Sequence, residues 1–158
     1  MPQQQSVQAS RQKPVAAEMM KDDKYGTAAQ IVALPLPRLV AVLQDPGASV
    51  YAKAKACQRL ALIGDGTAVP ALALLLADPQ LSHYARTALE PMPGRAADEA
   101  LRGALSKVQG ALLIGVITSI GNRRDGNAVA ALEKLRHDAN VEVGRAADAA
   151  LARIRPPL

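Results

Sequence analysis

The chain contains no phenylalanine and no tryptophan, and Tyr25, Tyr51 and Tyr84 are its only aromatic residues apart from His83 and His137. A core without large rings must be built from Leu, Ile, Val and a great deal of Ala. Ala is the best helix former and lets neighbouring helices approach closely, whereas the β-branched runs expected of strands are missing. There is one cysteine, Cys57, so no intrachain disulfide forms and nothing calls for an oxidising compartment. Cys57 lies in an apolar helical stripe with no His or Asp near it in sequence, which reads as a small core residue and not a nucleophile. Two widely separated histidines, no Cys pair and no H-E-x-x-H leave no metal-ligand set. No G-x-x-x-x-G-K-[ST] occurs, and Gly64-x-Gly66 follows a helix instead of a strand, so a phosphate loop is not indicated. No cofactor and no catalytic constellation is expected.

Long apolar runs are also absent. The greasiest stretch, Leu112 to Ile117, falls far short of the roughly 18 residues of a membrane span. The start, Met1-Pro2-Gln3-Gln4-Gln5-Ser6, lacks a basic n-region and an apolar h-region, so a cytoplasmic protein is expected as written, or an exported one if a native leader has been removed. The net charge of +5 is mild and by itself well short of a nucleic-acid footprint.

What is present is a repeated phrase. Leu60-Ala61-Leu62-Ile63-Gly64, followed by Gly66-Thr67-Ala68-Val69 and Ala71-Leu72, is echoed by Ile120-Gly121, Gly126-Asn127-Ala128-Val129 and Ala131-Leu132. Leu36, Leu39, Val40 and Leu43 mark one helical stripe, started by Pro37 and stopped before Asp45-Pro46. Asp45 and Asp78, each followed by proline, read as N-caps of the helices after them; Thr67 and Asn127 read as caps; Gly64 and Gly121 read as left-handed helix ends. The helix after Asp45 runs to Ile63 and carries apolar residues on two sides, as a helix between neighbours should. Further pairs are expected at 95–106 with 109–120, and at 128–137 with 141–154. The ends of the second helices, Ile63, Met92, Ile120 and Ile154, recur about every thirty residues, the last gap being lengthened in part by an insertion, Asn122-Arg123-Arg124-Asp125. Such pairs bury their apolar faces only against the next pair. The expected fold is therefore all-α, an α-solenoid of about four stacked antiparallel helix pairs. The domains are a disordered lead-in over 1–14, an N-terminal helix or cap over 15–34, the repeat domain over 35–155 and a tail at 156–158.

The phrases Ile63-Gly64-x-x-x-Ala68-Val69-Pro70-Ala71-Leu72, Ala71-Leu72-x-x-Leu75-Leu76-x-Asp78 and Arg145-Ala146-Ala147-x-Ala149-Ala150-Leu151-x-x-Ile154 resemble the short HEAT-like repeats of the phycobilisome-lyase type, as found in bacterial multidomain proteins. The resemblance covers about residues 35–155. It implies a HEAT-like solenoid, and such repeats serve as scaffolds, lyases and enzyme appendages alike.

The candidate binding residues are His83, Tyr84, Arg86, Glu90, Arg123 and Arg124. His83, Arg86 and Glu90 share one helix face with Tyr84 beside them, either as a solvated face or as part of a partner-binding surface. Arg123 and Arg124 interrupt the repeat, either as a solvated turn or as two guanidiniums presented to an acidic partner or carboxylate, in which case Arg86 and Arg123 would share one groove. The favoured reading is a non-catalytic protein–protein interaction module, whose partner is another protein or domain, with the apolar ends open to a cap or a second copy. The alternatives are nucleic-acid binding, opposed by the modest charge and the lack of Phe or Trp for stacking, and an accessory role in handling a tetrapyrrole, which the resemblance suggests.

Overall fold

The computed structural model describes residues 20–155, and they form nine helices and one two-residue hairpin: the protein is all-α. The lead-in at 1–14, the start of the expected N-terminal helix at 15–19 and the tail at 156–158 lie outside the described residues. The helices are α1 (Ala28–Val32), α2 (Leu36–Gln44), α3 (Val50–Ile63), α4 (Val69–Leu75), α5 (Ser82–Leu89), α6 (Arg95–Ala104), α7 (Gly110–Arg123), α8 (Val129–Leu135) and α9 (Val141–Ile154). Each of α2, α4, α6 and α8 packs on the helix that follows it. In addition α3 packs on α5, α5 on α7 and α7 on α9, while α2 packs on α4 and α4 on α6. The core between them is Leu, Ile, Val and Ala, with Ile31, Leu39, Leu60, Leu72, Leu89, Leu101, Ile117, Ile120 and Leu132 fully enclosed.

The helix content follows the sequence closely, but several signals resolve differently. Asp45 and Asp78 are not N-caps. Asp45 ends α2, and its carboxylate accepts the Gly47 amide in a tight turn; Ser49 is the residue that caps α3, accepting the Ala52 amide. Asp78 likewise accepts the Gln80 and Leu81 amides, and α5 begins only at Ser82. An aspartate before proline thus builds a local Asx turn, since its short side chain reaches the amide two residues on more readily than a distant helix start.

Thr67 and Asn127 are not the caps either. Asp65 and Asp125 accept the amides of Thr67 and Asn127 and open the 3-10 turns Gly66–Ala68 and Gly126–Ala128 that lead into α4 and α8. Nor are Gly64 and Gly121 left-handed. Gly64 has φ −67°, Gly121 lies inside α7, and the left-handed residue at the end of α7 is Arg124, φ 55°. The role of Gly121 is close approach: a Cβ there would come within 2.8 Å of the Ala150 Cα, so its absence lets α9 cross directly on α7.

The apparent insertion is no insertion. The helix α7 repeats α3 at an offset of 110 − 50 = 60 residues, with both helices 14 residues long, and the turn Gly126–Ala128 repeats Gly66–Ala68 at the same offset. Arg123 and Arg124 therefore occupy the places of Ile63 and Gly64, as part of the helix and its end.

The first part of the N-terminal helix expected over 15–34 is instead a hairpin over the described residues, Lys21–Asp22 paired with Gly26–Thr27. Asp22 makes it. Its carboxylate accepts the amides of Lys24 and Tyr25 inside the turn and that of Ser49 before α3. The hairpin then delivers Thr27, whose hydroxyl and the Gln30 side chain form a reciprocal capping box for α1.

Candidate partner-binding face

The second helices of the pairs, α3, α5 and α7, line up side by side, and none of the three contains an acidic residue. Their basic residues are Lys53, Lys55, Arg59, Arg86 and Arg123. On α3 the outer stripe is Tyr51, Lys55, Gln58 and Leu62, spaced so that all four share a face. The Lys55 ammonium lies 5.7 Å from the centre of the Tyr51 ring and donates to the Gln58 amide oxygen at 3.2 Å. Tyr84 on α5 faces this stripe across a groove of about 370 Å³, whose remaining walls are Met20, Val50 and Ala54. His83 packs edge-on against Tyr84, with ring centres 5.6 Å apart and planes at 68°. His83 is exposed and Tyr84 half-buried. The result is a mostly apolar trough with two half-buried tyrosines, one lysine and one histidine at its margin.

Three of the other four candidates, Arg86, Glu90 and Arg123, lie across the seam between α5 and α7 and are bonded within the chain. The Arg86 guanidinium lies on the backbone of α7, donating to the Gly115 carbonyl at 3.2 Å and the Ser119 hydroxyl at 3.4 Å. It fits because residue 115 is glycine: a Cβ there would sit 2.6 Å from the guanidinium carbon. Burial disfavours the Arg86 charge and Glu90 restores part of it. Glu90 accepts from the Ser119 hydroxyl at 2.6 Å and from the Asn122 amide at 3.3 Å. Arg86, Ser119, Glu90 and Asn122 thus form one polar chain between the two helices.

Arg123 turns inward and holds the end of α5. Its Nε donates to Asp98 at 2.5 Å, Nη1 reaches the carbonyls of Leu89, Glu90 and Met92, and Nη2 that of Gly94. Only 10% of its side chain remains exposed. These carbonyls include ones that a helix end leaves without an intrahelical partner, and the flat guanidinium fork satisfies several at once. Arg124 points the other way: it is exposed and makes no ion pair among the described residues. Arg86 and Arg123 do work on one seam, but as ties between α5 and its neighbours and not as a pair of free guanidiniums. The residues the sequence did not single out are Tyr51, Lys55 and Gln58. Their signal was the four-residue spacing of Tyr51 and Lys55, one helix pair before Tyr84.

Cys57 is fully buried, and burial pushes its thiol up to about 12, so it is inert as a nucleophile. Among the described residues no three His, Cys, Asp or Glu side chains gather as metal ligands, and no helix is long and apolar enough to cross a membrane. No protein family's sequence profile matches this chain, and none of the curated proteins is significantly similar to it.

Proposed function

We propose that the chain is a HEAT-like α-solenoid of four antiparallel helix pairs that works as a non-catalytic protein–protein interaction module. Its binding surface is the face of the second helices, centred on Tyr51, Lys55, His83 and Tyr84. The supporting packing pattern is that each second helix lies on the next, as stacked repeats require. The observation that carries the functional reading is the trough between Tyr51 and Tyr84. Tyrosine offers a large, stiff contact surface with a polar tip, and a preformed apolar groove with a few polar groups is how such surfaces anchor a partner. The acid-free helices add a preference for a partner carrying negative charge.

Cross-linking capture from the source lysate tests it, with wild type, the Tyr51→Ala/Tyr84→Ala variant and Arg124→Ala as baits, each first shown to be folded by circular dichroism. A protein held by wild type and Arg124→Ala but lost by the tyrosine variant supports the reading. Equal capture by all three baits moves the surface elsewhere, and capture that nuclease treatment removes replaces the reading with nucleic-acid binding.

A further inference from the structure

The two 3-10 turns that lead into α4 and α8 open on the same dipeptide, Asp65-Gly66 and Asp125-Gly126, yet the fold sets the two copies differently. Asp65, Gly66 and Thr67 are all exposed, and a Cβ at Gly66 would meet nothing within 4 Å. Asp65 has φ −133° and ψ −173°, which brings the Gly66 nitrogen to the side of the main chain that carries the Asp65 Cβ. Its Oδ1 accepts twice from one residue, from the Thr67 amide at 2.9 Å and from the Thr67 hydroxyl. Among the described residues Oδ2 has no partner, and the Gly66 amide donates to none. Asp125 is buried, and its ψ of 97° turns the Gly126 nitrogen away from Cβ. Its Oδ1 accepts the Asn127 amide at 3.0 Å, and its Oδ2 is held by the Arg102 guanidinium.

We propose that Asp65-Gly66 is a site of spontaneous main-chain modification in the folded protein, where the Gly66 nitrogen attacks the Asp65 carboxyl and converts the residue to isoaspartate. The nitrogen bonds to Cγ, the Cγ–Oδ2 bond breaks, and the amide proton and the carboxyl proton leave with that oxygen as water, closing a five-membered succinimide. Water then adds to one of the two ring carbonyls. Opening at Cγ restores aspartate; opening at the main-chain carbonyl leaves the chain running through the side chain, with the α-carboxylate as a branch. One water is lost and one gained, and no oxidant or cofactor takes part. The geometry at Asp65 serves each step. The nucleophile is unbonded, unhindered and on the Cβ side, and Oδ2 is free to leave. The two Thr67 donors point at Oδ1, where negative charge develops as the nitrogen adds, as the donors of an oxyanion hole do. The Thr67 hydroxyl, and after it the Thr67 amide, also hold the Asp65 carboxyl below the usual carboxylate range. Only a neutral carboxyl can release water, so conversion is slow at neutral pH and quickens as pH falls. At Asp125 the nitrogen is turned away and Arg102 occupies the oxygen that would have to leave. The product carries one extra methylene in the main chain between α3 and α4 and has lost the side-chain oxygen that the Thr67 amide uses, so the turn into α4 cannot re-form as it was.

The test ages the folded full chain in heavy-oxygen water at about pH 5.5 and about pH 8. Mass spectrometry then reads the tryptic peptides 60–86 and 125–134, with electron-transfer fragmentation to tell isoaspartate from aspartate. Isoaspartate and one heavy oxygen are expected at Asp65 about tenfold or more faster than at Asp125, which reacts only when its turn opens, and faster at the lower pH. In concentrated urea the two sites should convert at similar rates, because the fold alone distinguishes them. Asp65→Asn, which releases ammonia and needs no protonated carboxyl, should convert faster than wild type at about pH 8. Asp65→Glu, whose ring would need one more atom, should not convert; both variants are first shown to have native circular dichroism. Equal rates at Asp65 and Asp125 in the folded protein, or an Asp65→Asn chain that keeps its amide, would overturn the proposal. So would conversion at Asp65 that rises with urea in step with unfolding, which assigns the reaction to the unfolded chain.

Discussion

Replacing Arg123 with alanine separates a structural tie from a partner contact. In the native protein this side chain makes one charge-assisted bond to Asp98 and donates to four carbonyls at the end of α5, at 2.7 to 3.1 Å. Hydrogen bonds that involve a charged group contribute about 1.5–3 kcal/mol each when buried, but truncation admits water to most of these carbonyls, which recovers part of the loss. Asp98 is left about one-fifth exposed and hydrates as well. The expected destabilisation is about 2–4 kcal/mol, somewhat under the about 3–5 kcal/mol for removing one partner of a fully buried ion pair. Urea unfolding followed by far-ultraviolet circular dichroism measures it, with an unchanged slope showing that the same surface unfolds. Arg123→Lys should recover less than half, because a single ammonium cannot reach Asp98 and the carbonyls together. The loss should persist at about 0.5 M salt, since the side chain is mostly out of solvent. A destabilisation under about 0.5 kcal/mol, the size typical of an exposed arginine, would refute the assignment.

Gly121→Ala places a Cβ within 2.8 Å of the Ala150 backbone, which has no flexible end to yield; the midpoint of urea unfolding should show a loss of about 1–3 kcal/mol. Burial works against the Asp22 charge, but the Ser49 hydroxyl and the amides of Ser49, Tyr25 and Lys24 outweigh it and hold the pKa at about 2; Asp45 is held below the usual carboxylate range by Lys24, Tyr25 and the Gly47 amide. Both carboxylates are more acidic folded than unfolded, so their contribution is complete above about pH 4 and declines as pH falls toward about 2, and Asp22→Asn should flatten the melting temperature against pH across that interval. Cys57 should resist alkylation in the native protein at mild alkaline pH and react only as the chain unfolds globally, so its modification rate in urea should track the circular-dichroism transition; rapid labelling of folded protein would contradict its burial.

The helical pairing was legible because it is written in spacing. Leu36, Leu39, Val40 and Leu43 fall on one stripe of α2, and the second-helix ends recur with the period of a helix pair. Local punctuation was harder to read, for a physical reason. Asp65 and Thr67, or Asp125 and Asn127, are both competent caps two residues apart, and which one accepts depends on the approach angle of the chain. A glycine near a helix end suits both a left-handed turn and a close crossing; at Gly121 the partner that decides, Ala150, lies 29 residues away. Arg123 shows the limit for function. Two adjacent arginines in sequence look like one basic patch, yet Arg123 is the last residue of α7 and Arg124 the left-handed residue that ends it, so Arg123 meets the end of α5 while Arg124 meets solvent. The trough became visible only when α3 and α5 were side by side, since Tyr51 and Tyr84 lie on different helices.

The attachment of α8 and α9 also sets an order of disassembly. A pair secured mainly along one crossing has fewer neighbours to release than α4 or α5, which are gripped on several sides. Local opening follows the number of buried contacts that must be broken, so α8 should exchange its amide hydrogens sooner than α3, α5 or α7 and do so as a cooperative unit. Unwinding then begins at the carboxyl-terminal pair and moves inward, so that the last helices to form a stable layer are the first to be lost as the protein is loosened by heat or denaturant.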